Sequence, residues 1–515
     1  MNNIDIMFAM KSYGFLGADQ QSDDVNFVRS ELTNMLPKYK RIRDCIDGED
    51  AIKEGREIYL PAPLGGDNPE ENKARYNNYL RRAVFYPVLK QTSQGLRGQC
   101  FMNKPICDVP EVLKPMIDNV DGASDIFQFA SHALGTNINF ARGGILTDMD
   151  IAKEEKSLLD NIVDMPSFVL YQPEDIINWR YKLVKGRKVL SKLVLREFYD
   201  TDEHDFKLDV QVRWRVLYLD NNNRYNMQLW VLDDKNSYIK SGPAIMPLGA
   251  GKPFPYIPFE PLSSEKNTLE LVCTPQMDSL ASLNIGHFRN SADYEESCFM
   301  NGQGTLVVTG LTKAWYTDIL KKILRLGALG NIPLEKGSDA KVLQIAPNSM
   351  PIEAMRHKEE QMLSVGAKII QPSTVVKTAT ESSMNKSDEN SILTMTSKNT
   401  SDAMTGSLRS AYFLKTGKDS GEEFDKIKFE LLTESAVNNL TPQQELQLVD
   451  SWQKGAYTDE EMRARLKGAG YAFSKDWKKP IIVEPVSGNN QEKSKPSGTV
   501  STVTGGDLVG NKNNN

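Results

Sequence analysis

Among the residues whose types and spacing could do chemistry, Leu248–Pro253 (LGAGKP) comes nearest to a phosphate loop. Such a loop cradles phosphate oxygens on the backbone N–H groups of glycines and holds magnesium with a Ser or Thr hydroxyl. Here Met246 stands where the leading glycine belongs and Pro253 replaces the hydroxyl, so a proline-rich connector is the better reading. Gly302-Gln303-Gly304 is followed by Val307 where a dinucleotide fingerprint needs glycine, and no HExxH, GxSxG or EF-hand loop occurs. Asp148 with Asp150, and Asp293 with Glu295 and Glu296, have the chemistry to chelate magnesium, but clustered carboxylates on polar helices are usually solvated faces. The four histidines (His132, His204, His287, His357) show no zinc-like spacing. His287 and His357 fall on two long helical segments, where polar interhelical contacts are expected. The five cysteines (Cys45, Cys100, Cys107, Cys273, Cys298) are odd in number and scattered, so free buried thiols are expected rather than a disulfide framework. No catalytic residue, metal or cofactor is assigned; a metal-dependent enzyme built on the acidic clusters stays as an alternative.

Composition limits the options further. The 515 residues carry 62 Lys and Arg against 68 Asp and Glu, a formal charge of −6, which excludes clamping nucleic acid over the whole surface but not through a local basic patch. Apolar residues make up 40% and mean hydropathy is −0.45. No run approaches the ~18 apolar residues that would span a bilayer. The opening MNNIDIMFAMKSYGF lacks the parts of a secretory signal, so a soluble, cytosolic product is expected. The length suggests about three compact units.

The elements that would position these residues follow from periodicity. Apolar positions from Val25 to Ile46 recur at helical spacing, with Pro37 as a kink or break. A second stripe between Pro69 and Leu96 is interrupted by Pro87, and Asp125 to Leu134 reads as a short helix. From Ile176 to Ile239 four runs rich in β-branched and aromatic residues alternate with polar turns, which predicts an antiparallel meander. The proline-rich 243–262 can only be extended loop or edge strand. Two long amphipathic helices, from Thr274-Pro275 and from Ser349 or Pro351, bracket strand-like TLVVTG and AKVLQIA and the helical WYTDILKKIL. That insert holds six cations (Lys313, Lys321, Lys322, Arg325, Lys336, Lys341) against three acids (Asp318, Glu335, Asp339). A Ser/Thr/Asn-rich loop spans Gln371 to Asn390, helix resumes over Ser391 to Lys415, and Lys426 to Leu432 reads as a strand. Thr441-Pro442 and Thr458 to Glu461 announce two more helices before a Gly/Asn-rich tail expected to be disordered.

In this order the elements resemble the portal protein of tailed bacteriophages, the head-to-tail connector, in a branch catalogued as a phage domain of unknown function. The resemblance rests on YNNYLRRAVFYPVLKQTSQGLRGQCFMNKP (Tyr76 to Pro105), DIINWR (Asp175 to Arg180), LNIGHFRNSADYEESCFMNGQGTLVVTGL (Leu283 to Leu311) and KTATE (Lys377 to Glu381), and covers most of residues 30 to 480. It implies an α+β portal-like fold: a wing over 1–273 with helices first and the meander at 176–240, a stem helix at 274–300, an αβ clip at 301–348, and a second stem helix at 349–370. A tunnel loop at 371–390, a wing helix and strand at 391–432, a helical crown at 433–485 and a disordered tail at 486–515 would follow. It further implies a homo-oligomeric ring, usually of twelve subunits, at one capsid vertex of the virion after assembly in the host cytoplasm. Double-stranded DNA would be packaged and ejected through the channel, with the major capsid protein, the terminase large subunit and the tail adaptor as further partners and no membrane contact. A minor capsid or scaffold protein without a channel is the other alternative.

A conduit must let DNA slide, and each lysine on a phosphate adds salt-dependent affinity that would act as drag. Twelve subunits at −6 each give −72, so sparse contacts suffice; Lys377 and Lys386 on the loop, and Lys321 and Lys322 on the insert, are the candidates. Ordinary solvation of these lysines is the competing reading. Packing of the two long helices is assigned to Met277, Leu280, Ile285, Phe288, Ile352, Met355, Met362 and Ile369.

Overall fold

The computed structural model describes residues 24–63, 68–148, 165–201, 206, 208–233, 235–302, 305–317, 334–343, 349–370 and 392–432, with 452, 458, 461 and 462. Its N-terminal helices obey the expected periodicity with shifted ends. After a single turn over Ser30–Thr33, helix α1 (Leu36–Asp47) carries Pro37 in its first turn, where a missing N–H costs nothing. Pro37 therefore starts a helix instead of kinking one. Helix α2 (Pro69–Arg82) opens on the Asn68 side chain, which accepts from the Glu70 N–H at 3.1 Å, and closes on Arg81 and Arg82, the charge order its dipole favours. Pro87 separates it from α3 (Val88–Cys100). After the short strand β1 (Ile106–Asp108), helix α4 (Ile126–Phe140) is capped by Asp125, which accepts from Phe127 N and Gln128 N, both at 2.8 Å. It runs past the expected end at Leu134 because Gly135 to Ile138 are buried against neighbours, and it stops at Ala141 in the left-handed region (φ 51°).

Two sheets follow. Strands β2 (Arg142–Asp148) and β3 (Ser167–Tyr171) pair antiparallel. The meander is five strands in sequential order: β4 (Ile176–Val184), β5 (Arg187–Asp200), β6 (Val210–Leu219), β7 (Tyr225–Leu232) and β8 (Tyr238–Ile245). The fifth strand begins before the proline-rich stretch and takes in only its first three residues. It sits at the edge, where Pro243 withholds no ladder bond that the sheet needs. Strand β9 (Phe259–Ser263) returns to the far side of β2 and makes the first sheet three-stranded. The two sheets are joined by a polar cluster: Glu197 receives Tyr171 O–H, pairs Arg213 at 2.7 Å and lies 2.7 Å from Arg215, which also pairs Asp148. Burial acts to raise the Glu197 pKa, yet Arg215, Tyr171 and Arg213 together hold it below its ordinary value.

The remaining described elements are α5 (Met277–Gly302), an antiparallel ribbon of β10 (Thr305–Thr309) and β11 (Asp339–Leu343), α6 (Met350–Ile370), α7 (Ile392–Thr416), and β12 (Lys428–Glu430), which pairs with β1. Helix α7 lies over the three-stranded sheet through small and hydroxyl side chains. Thr147 donates to Ser407 O at 3.2 Å, Leu431 N donates to Ser401 at 3.0 Å, and Asn137 donates to Thr400 at 3.1 Å. The chain divides into two compact units, Met1–Ala436 and Val437–Asn515. In the second, Thr458 and Glu461 form the reciprocal bonds of a capping box: Thr458 N donates to Glu461 at 2.9 Å and Glu461 N to Thr458 at 3.3 Å. The rest of the helices expected there, the 371–390 loop, and the tail lie outside the described residues. The architecture is α+β. No helix is long and apolar enough to cross a membrane, among the described residues.

Candidate functional site: a rooted helix pair and its ribbon

Helices α5 and α6, of 26 and 21 residues, are rods of about 39 and 31 Å at 1.5 Å per residue. They run antiparallel. His287 Nε2 stands 3.1 Å from Glu359 Oε1, and the Lys358 stem crosses Gly286 so closely that a Cβ there would lie 2.9 Å from Lys358 Cε. The Tyr86 ring, 6.1 Å from the imidazole, closes over His287. His287 thus makes the interhelical contact expected of it, while His357 is exposed and bonds Gln361 at 3.0 Å on its own helix.

The stripe assigned to helix pairing serves a second purpose too. Met277, Leu280, Ile285 and Phe288 are buried, but α5 spends this face on the N-terminal helices as well as on α6. The Cys45 thiol lies 3.9 Å from Ala281 O, and Phe85 meets the Phe288 ring edge-on at 6.1 Å. Asn284 bridges the α2–α3 connection, donating to Tyr86 O at 2.8 Å and accepting from Leu89 N at 3.3 Å; Ser291 donates to Val84 O at 2.8 Å. Arg289 donates to Tyr59 O at 2.7 Å and Arg41 to Asp278 at 3.0 Å. On α6, Met362 is buried, Ile352 and Met355 are half-buried, and Ile369 lies in the helix with its side chain outside the described residues.

From Asp293 onward α5 meets the helical part through polar side chains, Asp293 with Tyr79 and Glu296 with Arg82, and the character of its surface changes. Phe299, Met300, Val307, Val342 and Met350 are exposed, with Val342 at 65% and Met350 at 72%. Among the described residues the ribbon between the rods has two strands, and an isolated pair is marginally stable in water without a further surface to pack on.

The acidic candidates resolve into structural partners. Asp293 receives the Tyr79 hydroxyl at 2.6 Å, Glu296 pairs Arg82, and Asp148 pairs Arg215; Asp150 lies outside the described residues. No group of three His, Cys, Asp or Glu able to hold a metal occurs among the described residues. Cys45, Cys100 and Cys273 are buried as expected, whereas Cys107 is half-buried and Cys298 is exposed. The LGAGKP segment is a tight hairpin: Leu248–Gly249 pairs with Lys252–Pro253 across Ala250 and Gly251 at positive φ. A Cβ on Gly249 would stand 2.3 Å from Phe413 O, so that glycine lets the turn meet α7.

Residues 276–412, which hold both rods, the ribbon and most of α7, match a family described as Domain of unknown function (DUF4055). No curated protein matches the chain. Among solved structures the chain is similar to one in the virion of a native gene transfer agent (GTA) particle, at 12% identity and a TM-score of 0.39, covering 80% of this chain and 98% of that one. It is likewise similar to chains in the neck of the empty GTA particle computed with C6 symmetry and of the native particle computed with C12 symmetry, each at 12% identity, a TM-score of 0.38, and the same coverage. Scores at this level carry neither fold nor role across.

All four lysines proposed to meet DNA, Lys321, Lys322, Lys377 and Lys386, lie outside the described residues. A different basic cluster went unremarked in the sequence because it was read only as a turn. Between Arg180 and Lys192 there are six cations and no acid, a denser excess than the three of the ribbon insert. A charge count over a short window finds it.

Proposed function

We propose that this chain is a subunit of a tailed-phage portal: a ring at one capsid vertex through which double-stranded DNA is packaged and ejected. The helical part, the meander and α7 would be the wing, α5 and α6 the stem, and β10–β11 with its insert the clip. The 371–390 segment would be the tunnel loop and the second unit the crown. The observation that carries this reading is the contrast along one helix pair. Its base is bonded into a core by Asn284, Arg289 and Ser291, while its distal half and ribbon present Phe299, Met300, Val342 and Met350 to solvent. An apolar surface of that kind on a slender element needs a partner. Head-to-tail contacts between identical copies supply one and close into a ring when the rotation between copies closes. The sequence resemblance supports the same assignment. The major capsid protein would meet the wing, and the terminase large subunit and later the tail adaptor would meet the clip. The role is a conduit and docking platform with no catalytic step.

Single-particle imaging of the purified full-length chain tests it. Rings with a central hole are expected, and Met350→Glu combined with Val342→Glu is expected to leave folded single subunits. Monomers of the unmodified chain at micromolar concentration, or shells without a pore, would overturn the assignment.

A further inference from the structure

The β4–β5 hairpin is an unpartnered cationic surface on an acidic chain. Its strands pair Arg180 with Lys192 and Val184 with Arg187, and cross-strand partners share a face. Lys182 lies two residues from Arg180 on the same face, so Arg180, Lys182, Arg187 and Lys192 stand together, with Lys185 at the tip. Arg180, Lys185, Arg187 and Lys192 are exposed and Lys182 half-exposed. None of these five forms an ion pair among the described residues. Lys188, on the opposite face, is the exception and pairs Glu270 at 3.0 Å.

The tip adds an independent observation. Lys185 (φ 50°) and Gly186 (φ 78°) form a two-residue turn with both residues in the left-handed region. Asn adopts the first of these positions more readily than a residue with a long side chain. The chain carries a lysine there instead, at some conformational cost, which places a further charge at the outermost point of the hairpin.

We propose that the Arg180–Lys192 hairpin is a contact for the phosphate backbone of double-stranded DNA. The proposal rests on the portal reading only for bringing DNA to this protein. Alternate residues on a strand advance about 7 Å, twice the 3.4 Å axial spacing of phosphates along one strand of the duplex. Tyr218 on β6 stands opposite Lys192 at the inner end of this face and is half-buried against the core, while the tip itself offers no ring on which an unpaired base could stack, which favours a duplex over a single strand. Tyr181 points to the other face, where its hydroxyl accepts from Leu269 N at 3.2 Å. An acidic protein partner would instead require a buried aromatic or apolar anchor, and Leu183, the most exposed apolar residue of the hairpin, is on the other face. The net charge of −6 does not cancel the patch, because salt screens charges beyond about 8 Å at physiological ionic strength.

The test is fluorescence anisotropy of the full chain with a labelled 30-base-pair duplex over a salt series. Each cation withdrawn from a phosphate makes the slope of log K against log salt shallower by about 0.9. Arg180→Gln, Lys182→Gln, Arg187→Gln and Lys192→Gln together are expected to flatten it by about 3.6. Lys185→Asn is expected to flatten it by about 0.9 while leaving the unfolding midpoint unchanged or raised, so this variant serves even if the fourfold one does not fold. Unchanged slopes in the folded variants would overturn the proposal. So would loss of binding to labelled poly-glutamate with duplex affinity intact, which would assign the hairpin to an acidic protein. Imaging of the same variants separates the two readings: rings that no longer hold duplex support both, while absence of rings in the unmodified chain removes the portal assignment without touching the anisotropy result.

Discussion

Replacing Glu260 by Gln is expected to stabilise the protein at alkaline pH and to leave it little changed at acid pH. Glu260 lies on β9 with its carboxyl carbon 2.5 Å from where a Cβ on Gly406 would be, pressed against the backbone of α7. Burial pushes its pKa from the ordinary 4.5 up to about 7, and Arg409 only partly opposes this. The native carboxyl therefore keeps its proton where the unfolded chain has lost it. Stability is full below pH 4.5, falls as pH rises toward 7, and is flat above. At 1.36 kcal/mol per pH unit the full shift is worth about 3 kcal/mol, and the part of the side chain that still meets solvent lowers this to roughly 2 kcal/mol. Urea unfolding followed by tryptophan fluorescence at pH 5 and pH 8, at one protein concentration, measures the difference between wild type and Glu260→Gln at each pH. The fixed cost of the substitution itself cancels between the two. A difference that does not change between pH 5 and 8, or that favours wild type at pH 8, would refute the reasoning.

Three further outcomes follow from close contacts. Gly249→Ala should destabilise the chain by about 1–3 kcal/mol in urea unfolding, because the new methyl meets the Phe413 carbonyl oxygen and backbone cannot swing aside; a neutral result would mean that the turn is not seated on α7. Asn284→Ala should cost about 1–2 kcal/mol, since it leaves the buried Leu89 N without its acceptor while Tyr86 O keeps its bond from Val88 N, and an effect below about 0.5 kcal/mol would remove Asn284 as an anchor of α5. Thiol titration of the native chain should find one fast group, Cys298. Burial pushes the Cys45 thiol up to about 12 and those of Cys100 and Cys107 to about 11, and two or more fast thiols would contradict this packing.

The elements legible in the sequence are those whose pattern is local. Alternation at Val210, Val212, Trp214, Val216 and Tyr218 is a half-buried strand in any setting, and the Thr458 and Glu461 pair names a helix start without its surroundings. The three-stranded sheet was missed for the opposite reason. Strand β2, RGGILTD, is buried along nearly its whole length and shows no alternation, and its partner Phe259 lies over a hundred residues from Leu146. The periodicity of α5 was read correctly as apolar and assigned too narrowly. A stripe records that a face is buried and not what covers it, so Phe288 was given to α6 when Phe85 shares it. A loop and an insert point to the four site lysines, whereas the denser cluster at Arg180 to Lys192 gives no separate signal because polar turns are charged by default.

The two halves of α5 perform separate tasks, and the chemistry of each suits its task. At the base, Asn284, Arg289 and Ser291 bond directly to backbone carbonyls of the helical part, and directional bonds of this type fix an angle as well as a distance. The His287–Glu359 contact and the Lys358 stem over Gly286 then set α6 against α5. The direction of the rods is thereby determined within one subunit. The distal half carries no comparable set of backbone bonds from other elements, and its exposed apolar residues exert a force that is strong but has no direction of its own. The proposed ring would need both properties in this order. Rigid bases would make every copy meet its neighbour at the same angle, and non-directional apolar contact would let the closing interface accommodate whatever rotation the subunit number demands.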